Sequence, residues 1–174
     1  PARPPGAASA VVEAGAGTDV ELPPDVPFRV MTQLALGIGF GAAAGGTLGS
    51  FLVSAAVDAG LSEATAGWIL TAGSVAGIAV RLLAGVRADR RDGGHLRVVA
   101  TMLGLGAVAF AVLATTHDLA YVVFGPLAFC TAWAWPGLFN LAIVRANPRR
   151  PAAATGITQT GTYIGAVSGP LVFG

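Results

Sequence analysis

The chain has 174 residues, 54% of them hydrophobic and 11% charged, with a formal net charge of +1 and a mean hydropathy of +0.71. Soluble domains carry about 25% charged residues, so there is too little charge here to build a water-soluble surface. All basic residues are arginines in short, separated segments, which leaves no continuous face for nucleic acid, and the single cysteine, Cys130, forms no intrachain disulfide and has no neighbours spaced as metal ligands.

Residues 1–27 are rich in Pro, Ala and Gly and hold Glu13, Asp19, Glu21 and Asp25. They read as a mobile tail or linker and lack the apolar core of a signal peptide. Five apolar segments follow, at about 29–57, 63–86, 96–115, 119–146 and 152–174. Each has about the 20 residues that cross a hydrocarbon core. In lipid the backbone must satisfy its own hydrogen bonds, so the segments are expected to be helices. Ser62 and Glu63 suit the start of the second helix, as a capping hydroxyl and a carboxylate at the positive dipole end. Asn147-Pro148 and Pro151 mark the turn before the fifth. Cys130 is expected as a small packing residue.

Arginine appears before the first helix (Arg3, Arg29), after the second (Arg87, Arg90, Arg91, Arg97) and after the fourth (Arg145, Arg149, Arg150). The loops on the opposite side carry none. This is the positive-inside pattern, and it puts the tail and the loops 87–95 and 145–151 in the cytoplasm of a cell whose inner membrane the chain spans. The start at Pro1 and the end inside an apolar segment are expected of a fragment that lacks a sixth helix.

In the second helix Gly73, Gly77, Arg81, Gly85 and Asp89 recur every four residues along one ridge. Gly161, Gly165 and Gly169, followed by Pro170, repeat the device in the fifth. Glycines so spaced let helices pack closely in membranes.

The loop Gly85-Val86-Arg87-Ala88-Asp89-Arg90-Arg91-Asp92-Gly93 resembles the cytoplasmic signature of the major facilitator superfamily, G-x-L-a-D-R-x-G-R. Gly85, Asp89 and Arg90 match; Arg87 replaces Leu, and Gly93 falls one position late. The fifth helix, "ATGITQTGTYIGAVSGP", is similar to the family's glycine-rich fifth or eleventh helix. The stretch "WAWPGLFNLAIVRANPRRPAAATGITQTG" resembles bacterial cyanate-permease-like members. The resemblance covers residues 28–174. It implies an all-α membrane protein, with five of the six transmembrane helices of one bundle. The long polar leader favours helices seven to eleven, with helices one to five as the competing register. It implies a missing six-helix partner half, a small-molecule substrate, the lipid bilayer as surroundings, and no cofactor. It also implies that Asp89 and Arg90 clasp a neighbouring helix end and regulate alternating access.

Arg81 lies eight residues before Asp89, about 12 Å deeper at 1.5 Å per residue. Snorkelling to the headgroups and a structural pairing are two readings of it. The third is a cavity-facing cation, because ionisable groups inside membrane segments mark functional sites and the Arg fork suits carboxylates and small oxyanions. The resemblance agrees: nitrate/nitrite and monocarboxylate carriers hold an anion-binding arginine at a similar place. The proton-coupling aspartate of monocarboxylate carriers corresponds here to Gly77.

Further candidate substrate contacts are Trp133, Asn140, Gln159 and Tyr163. Trp133 and Trp135 sit mid-helix, not at the interfaces where tryptophans gather, and two residues apart they face different ways. Pro136-Gly137 is expected to loosen the helix after them. Gln159 and Tyr163 share a face, with Thr155 and Thr162 close to it; Gln33, Thr47 and Ser50 are weaker candidates. His95 and His117 fall in expected loops and no carboxylate sits mid-helix, which argues against an enzyme. The expected function is secondary transport of a small solute, most of all an organic or inorganic anion. Efflux of drugs or apolar metabolites and a non-transporting scaffold or receptor are the alternatives.

Overall fold

The five apolar segments fold as helices, and the fourth is bent in two. The computed structural model describes residues 21–90, 93–115 and 119–174. Its helices are α1 (Phe28–Asp58), α2 (Glu63–Asp89), α3 (His95–Thr115), α4 (Leu119–Ala134), α5 (Pro136–Ala146) and α6 (Pro151–Phe173), with no strand among the described residues.

Local chemistry sets the ends. The Ser62 hydroxyl accepts the Thr65 N–H at 3.2 Å, and Glu63 opens the first turn of α2, as the sequence predicts. Gly60, at φ 100°, makes the turn between α1 and α2 in a conformation that only glycine adopts readily. Pro151 occupies the first turn of α6, where no N–H is needed. Pro126 lies inside α4 without ending it, whereas Pro136 separates α4 from α5. A proline supplies no N–H to the carbonyl four residues back and its ring crowds that carbonyl. The ladder resumes when Phe139 N–H donates to the Trp135 carbonyl at 2.9 Å.

Four spans are long and apolar enough to cross a membrane: Phe28–Asp58, Glu63–Asp89, His95–Thr115 and Ala120–Ala146. The fifth, α6, is more polar than expected of it, since it carries Thr155, Thr158, Gln159, Thr160, Thr162 and Ser168. Its hydroxyls turn back on their own helix: Thr155 donates to the Pro151 carbonyl at 2.8 Å, Thr160 to Gly156 at 2.8 Å and Thr162 to Thr158 at 3.0 Å. Such internal bonds lower the cost of hydroxyls away from water.

Helix α6 packs along α1 in parallel. Gly161, Gly165 and Gly169 meet the backbone carbonyls of Ala35, Gly39 and Ala43 in turn, so that a β-carbon at any of the three would collide with backbone. The α2 ridge packs on α4 in the same sense. Gly73 faces Pro126 and Phe129, and Gly77 faces Cys130. Two apolar clusters fill the bundle. One, near the arginine-rich end, includes Met31, Ile38, Val99, Trp135, Phe139 and Ile143. The other includes Leu48, Leu52, Ile69, Leu113 and Tyr121. Phe40, Trp68, Leu82, Leu83 and Val172 remain exposed, an apolar exterior suited to lipid.

The tail expected over residues 1–27 is tied down at its C-terminal end. Asn147, 2% exposed, accepts the Val26 N–H on Oδ1 at 3.0 Å and donates from Nδ2 to the Ile143 carbonyl at 2.8 Å. Arg149 N–H donates to Asp25 Oδ1 at 3.0 Å, and its Nη2 donates to the Leu22 carbonyl at 2.7 Å. Residues 1–20 of that expected tail lie outside the described residues.

The glycine contacts separate two otherwise similar substitutions. Gly165→Ala is expected to destabilise the protein by about 1–3 kcal/mol through overpacking against α1. Gly156→Ala, with nothing within 4 Å of its added methyl, is expected to be neutral or to stabilise by up to about 1 kcal/mol through helix propensity. Melting temperatures in detergent check this; equal shifts for the two variants would contradict the close α1–α6 contact.

Candidate functional site

The α2 ridge decides where Arg81 goes. Gly73 and Gly77 hold α2 close along α4, so the next residue on the ridge arrives at the end of α4. There Arg81 Nη2 donates to the backbone carbonyl of Trp133. Trp133 lies in the last turn of α4, where carbonyls have no donor within their own helix. A cation at a helix C-terminus is also favoured by the helix dipole. Of the sequence readings, the structure thus contains a pairing, but its acceptor is a neutral carbonyl and not Asp89 or another carboxylate. The Arg81 side chain is otherwise exposed.

The Trp133 indole lies against α1 near Gly45 and Gly49 and is tilted against Phe129, with ring centroids 6.5 Å apart. It remains 36% exposed, whereas Trp135 is 2% exposed and meets Phe139 edge-on at 6.1 Å. The two tryptophans face apart, as their spacing predicts. The Trp135 indole N–H has no hydrogen-bond partner among the described residues.

Beyond the kink, Gln159 Nε2 donates to Asn140 Oδ1 at 2.9 Å, joining α6 to α5. Two candidates from different segments are thereby one polar unit, half-buried on both sides. Tyr163, one turn further along α6, is 67% exposed. Thr47 lines a groove between α1 and α6, while Gln33 and Ser50 are exposed. The candidate residues thus comprise a guanidinium bound to a carbonyl, an amide pair and an exposed phenol.

The loop-motif residues occupy the end of α2. Gly85 is exposed with open space about it; Asp89 and Arg90 are exposed and pair with no described side chain. Arg91 and Asp92 lie outside the described residues. The clasp expected of Asp89 and Arg90 thus has no described partner.

Two contacts at the arginine-rich end are not apparent from the sequence. Arg145 Nη1 lies 2.9 Å from Nε2 of the buried His95, joining the end of α5 to the start of α3. An arginine always donates, so this ring nitrogen accepts. His95, expected in a loop, is the first residue of α3. The second contact is the Asn147 clamp; its only sequence signal is the proline that follows.

The Asn140–Gln159 bond is measurable by a double-mutant cycle of Asn140→Leu and Gln159→Leu. A coupling of about 1 kcal/mol is expected, near the upper part of the range for polar pairs between membrane helices. Additive losses of thermal stability would show that the bond contributes nothing.

Comparison with known proteins gives one positive result. The family model described as Major Facilitator Superfamily matches residues 34–174. No curated protein and no solved structure matches the chain. The family match runs from the first turns of α1 to the end of α6, and so covers the glycine ridges, the α2 loop motif and the kinked fourth span together. The chain belongs to the major facilitator superfamily, and is a multi-pass membrane protein of the transporter type.

Proposed function

We propose that the chain forms one wall of a secondary transporter for a small organic or inorganic anion, and that Arg81 is its anion contact. One observation carries this reading: the charge deepest in any described span keeps an exposed guanidinium after its carbonyl partner is counted. A permanently charged group inside a membrane segment marks a solute path, and an arginine fork suits oxyanions. Asn140, Gln159 and Tyr163 would add neutral donors, and Trp133 an aromatic wall. A second helix bundle of the same family would supply the opposite wall, since such carriers bind solute between their repeats. In this reading the arginine-rich ends face the cytoplasm of an inner membrane, and the cyanate-permease-like resemblance names the branch.

A second reading has an observation of its own. A groove of about 530 Å³ runs between α1 and α6, lined by Leu36, Phe40, Ile164, Val172 and Phe173 among others. Its apolar walls suit export of apolar compounds.

Flux through the protein as encoded in full, in proteoliposomes, decides between them. Wild type, Arg81→Lys and Arg81→Gln are compared for uptake of a panel of small anions and one neutral dye. Anion uptake is expected to fall roughly tenfold or more in Arg81→Gln, as befits a charge-assisted hydrogen bond of about 1.5–3 kcal/mol. Arg81→Lys should fall less, and dye flux should hold. Full anion transport by Arg81→Lys would show that the fork is not needed, and the apolar-export reading would then lead.

A further inference from the structure

The guanidinium of an arginine has five N–H donors in a plane. They form two bidentate edges, one from Nη1 and Nη2 and one from Nη2 and Nε, and Nη2 gives one hydrogen to each. The bond from Arg81 Nη2 to the Trp133 carbonyl therefore occupies part of one edge and leaves the other complete. It also ties one nitrogen of the fork to a main-chain acceptor, which narrows the orientations in which that edge is presented.

What holds the acceptor in place is on the page. Helix α4 ends at Ala134, one residue after Trp133, and Pro136 opens α5, so the Trp133 carbonyl falls in a last turn without helical donors. The adjacent Ala132 carbonyl, which would take its hydrogen bond from residue 136, faces Gly45 of α1 instead. The Trp133 indole rests on α1 at Gly45 and Gly49. Residue 133 is thus held by its ring on one side and by Arg81 on the other.

We infer that Pro136 and Trp133 are positioning residues for the anion contact: the proline leaves the Trp133 carbonyl open, the carbonyl orients Arg81, and the free edge of the guanidinium takes one planar oxyanion such as a carboxylate. The inference rests on the anion reading given above. It adds a specificity rule, because a planar two-oxygen group needs the edge aimed, whereas a spherical anion needs only the charge nearby.

The test uses the protein as encoded in full, with acetate and chloride as probes and equilibrium binding as the readout. Pro136→Ala restores the N–H that serves the Ala132 carbonyl and lets α4 run on into α5, which brings the Gly137 N–H into helical register with the Trp133 carbonyl. Acetate affinity is expected to weaken about tenfold, close to the loss in Arg81→Gln, while chloride affinity changes less than about twofold, since the charge stays. The double variant Arg81→Gln/Pro136→Ala should bind acetate no more weakly than Arg81→Gln alone. Unchanged acetate affinity in Pro136→Ala overturns the inference and leaves the anion reading standing, provided Arg81→Gln still weakens binding. An equal loss for acetate and chloride also overturns it, since that reports general damage to the site. If Arg81→Gln binds acetate as wild type does, the anion reading fails and this inference with it. Pro136→Ser, which restores the same N–H, is measured in parallel; unfolding of both proline variants would assign the kink a purely structural role and overturn the inference.

Discussion

Backbone pressed against backbone is the contact on which this bundle depends. Between helices surrounded by lipid there is no hydrophobic force to pull them together, so close packing and polar contacts must do it. Along α1 and α6 the carbonyls of Ala35, Gly39 and Ala43 sit where side chains at Gly161, Gly165 and Gly169 would otherwise be. Along α2 and α4, Gly73 and Gly77 bring the chain against Pro126, Phe129 and Cys130. Both pairs run parallel and advance four residues at a time, as i±4 ridges do. The polar chemistry follows from this. An arginine one step further along the α2 ridge reaches a backbone carbonyl of α4 because the glycines before it have removed the intervening side chains.

The second constraint is that polar groups away from water need partners. The threonines of α6 meet it by bonding to their own helix, and this lets a segment too polar for the simplest hydropathy criterion lie along α1. Asn140 and Gln159 meet it by bonding to each other. Asn147 meets it at the end of α5, where one amide serves both a carbonyl of its own helix and an N–H of the leader. The kink after Trp133 opens carbonyls, and the cation of α2 covers one of them. These polar groups thus have local partners, whereas the Trp135 indole N–H is buried without a partner among the described residues.

Much of this architecture was legible from single-helix patterns. Apolar length gave the five helical segments, four of them long and apolar enough to cross a membrane, Ser62 and Glu63 the start of α2, and the four-residue glycine spacing the faces that pack. Pro136 announced the bend, because a missing N–H is a property of one residue. What stayed hidden was register between helices. Gly161 names a face of α6, but nothing in its neighbourhood says that Ala35 lies opposite. Arg81 carries a charge whose depth can be counted, but its acceptor is a main-chain oxygen 52 residues away, and main-chain atoms leave no trace in residue type. Asn140 and Gln159 were each visible as lone polar groups; their union needs the turn at Asn147 to set α5 beside α6. His95 and Arg145 are likewise joined only by packing. The contacts at the end of the leader stayed hidden for a related reason: Leu22, Asp25 and Val26 are held mostly through backbone groups, which composition does not report.

The pairing of Arg81 with a carbonyl bears on its function through charge. A structural role and a solute role for one arginine are often treated as rivals, and with a carboxylate partner they would be, because the ion pair would cancel the field that attracts an anion. A carbonyl is neutral. It holds the guanidinium by one hydrogen bond and part of the α4 dipole, and leaves a full unit of positive charge in place. That charge is exposed deep in a helix whose other ionisable groups, Glu63, Arg87 and Asp89, lie at its ends. In a medium of low dielectric constant such a charge acts more strongly than it would in water. The bond to Trp133 therefore supplies orientation without neutralisation, and orientation with retained charge is what recognition of a planar anion requires.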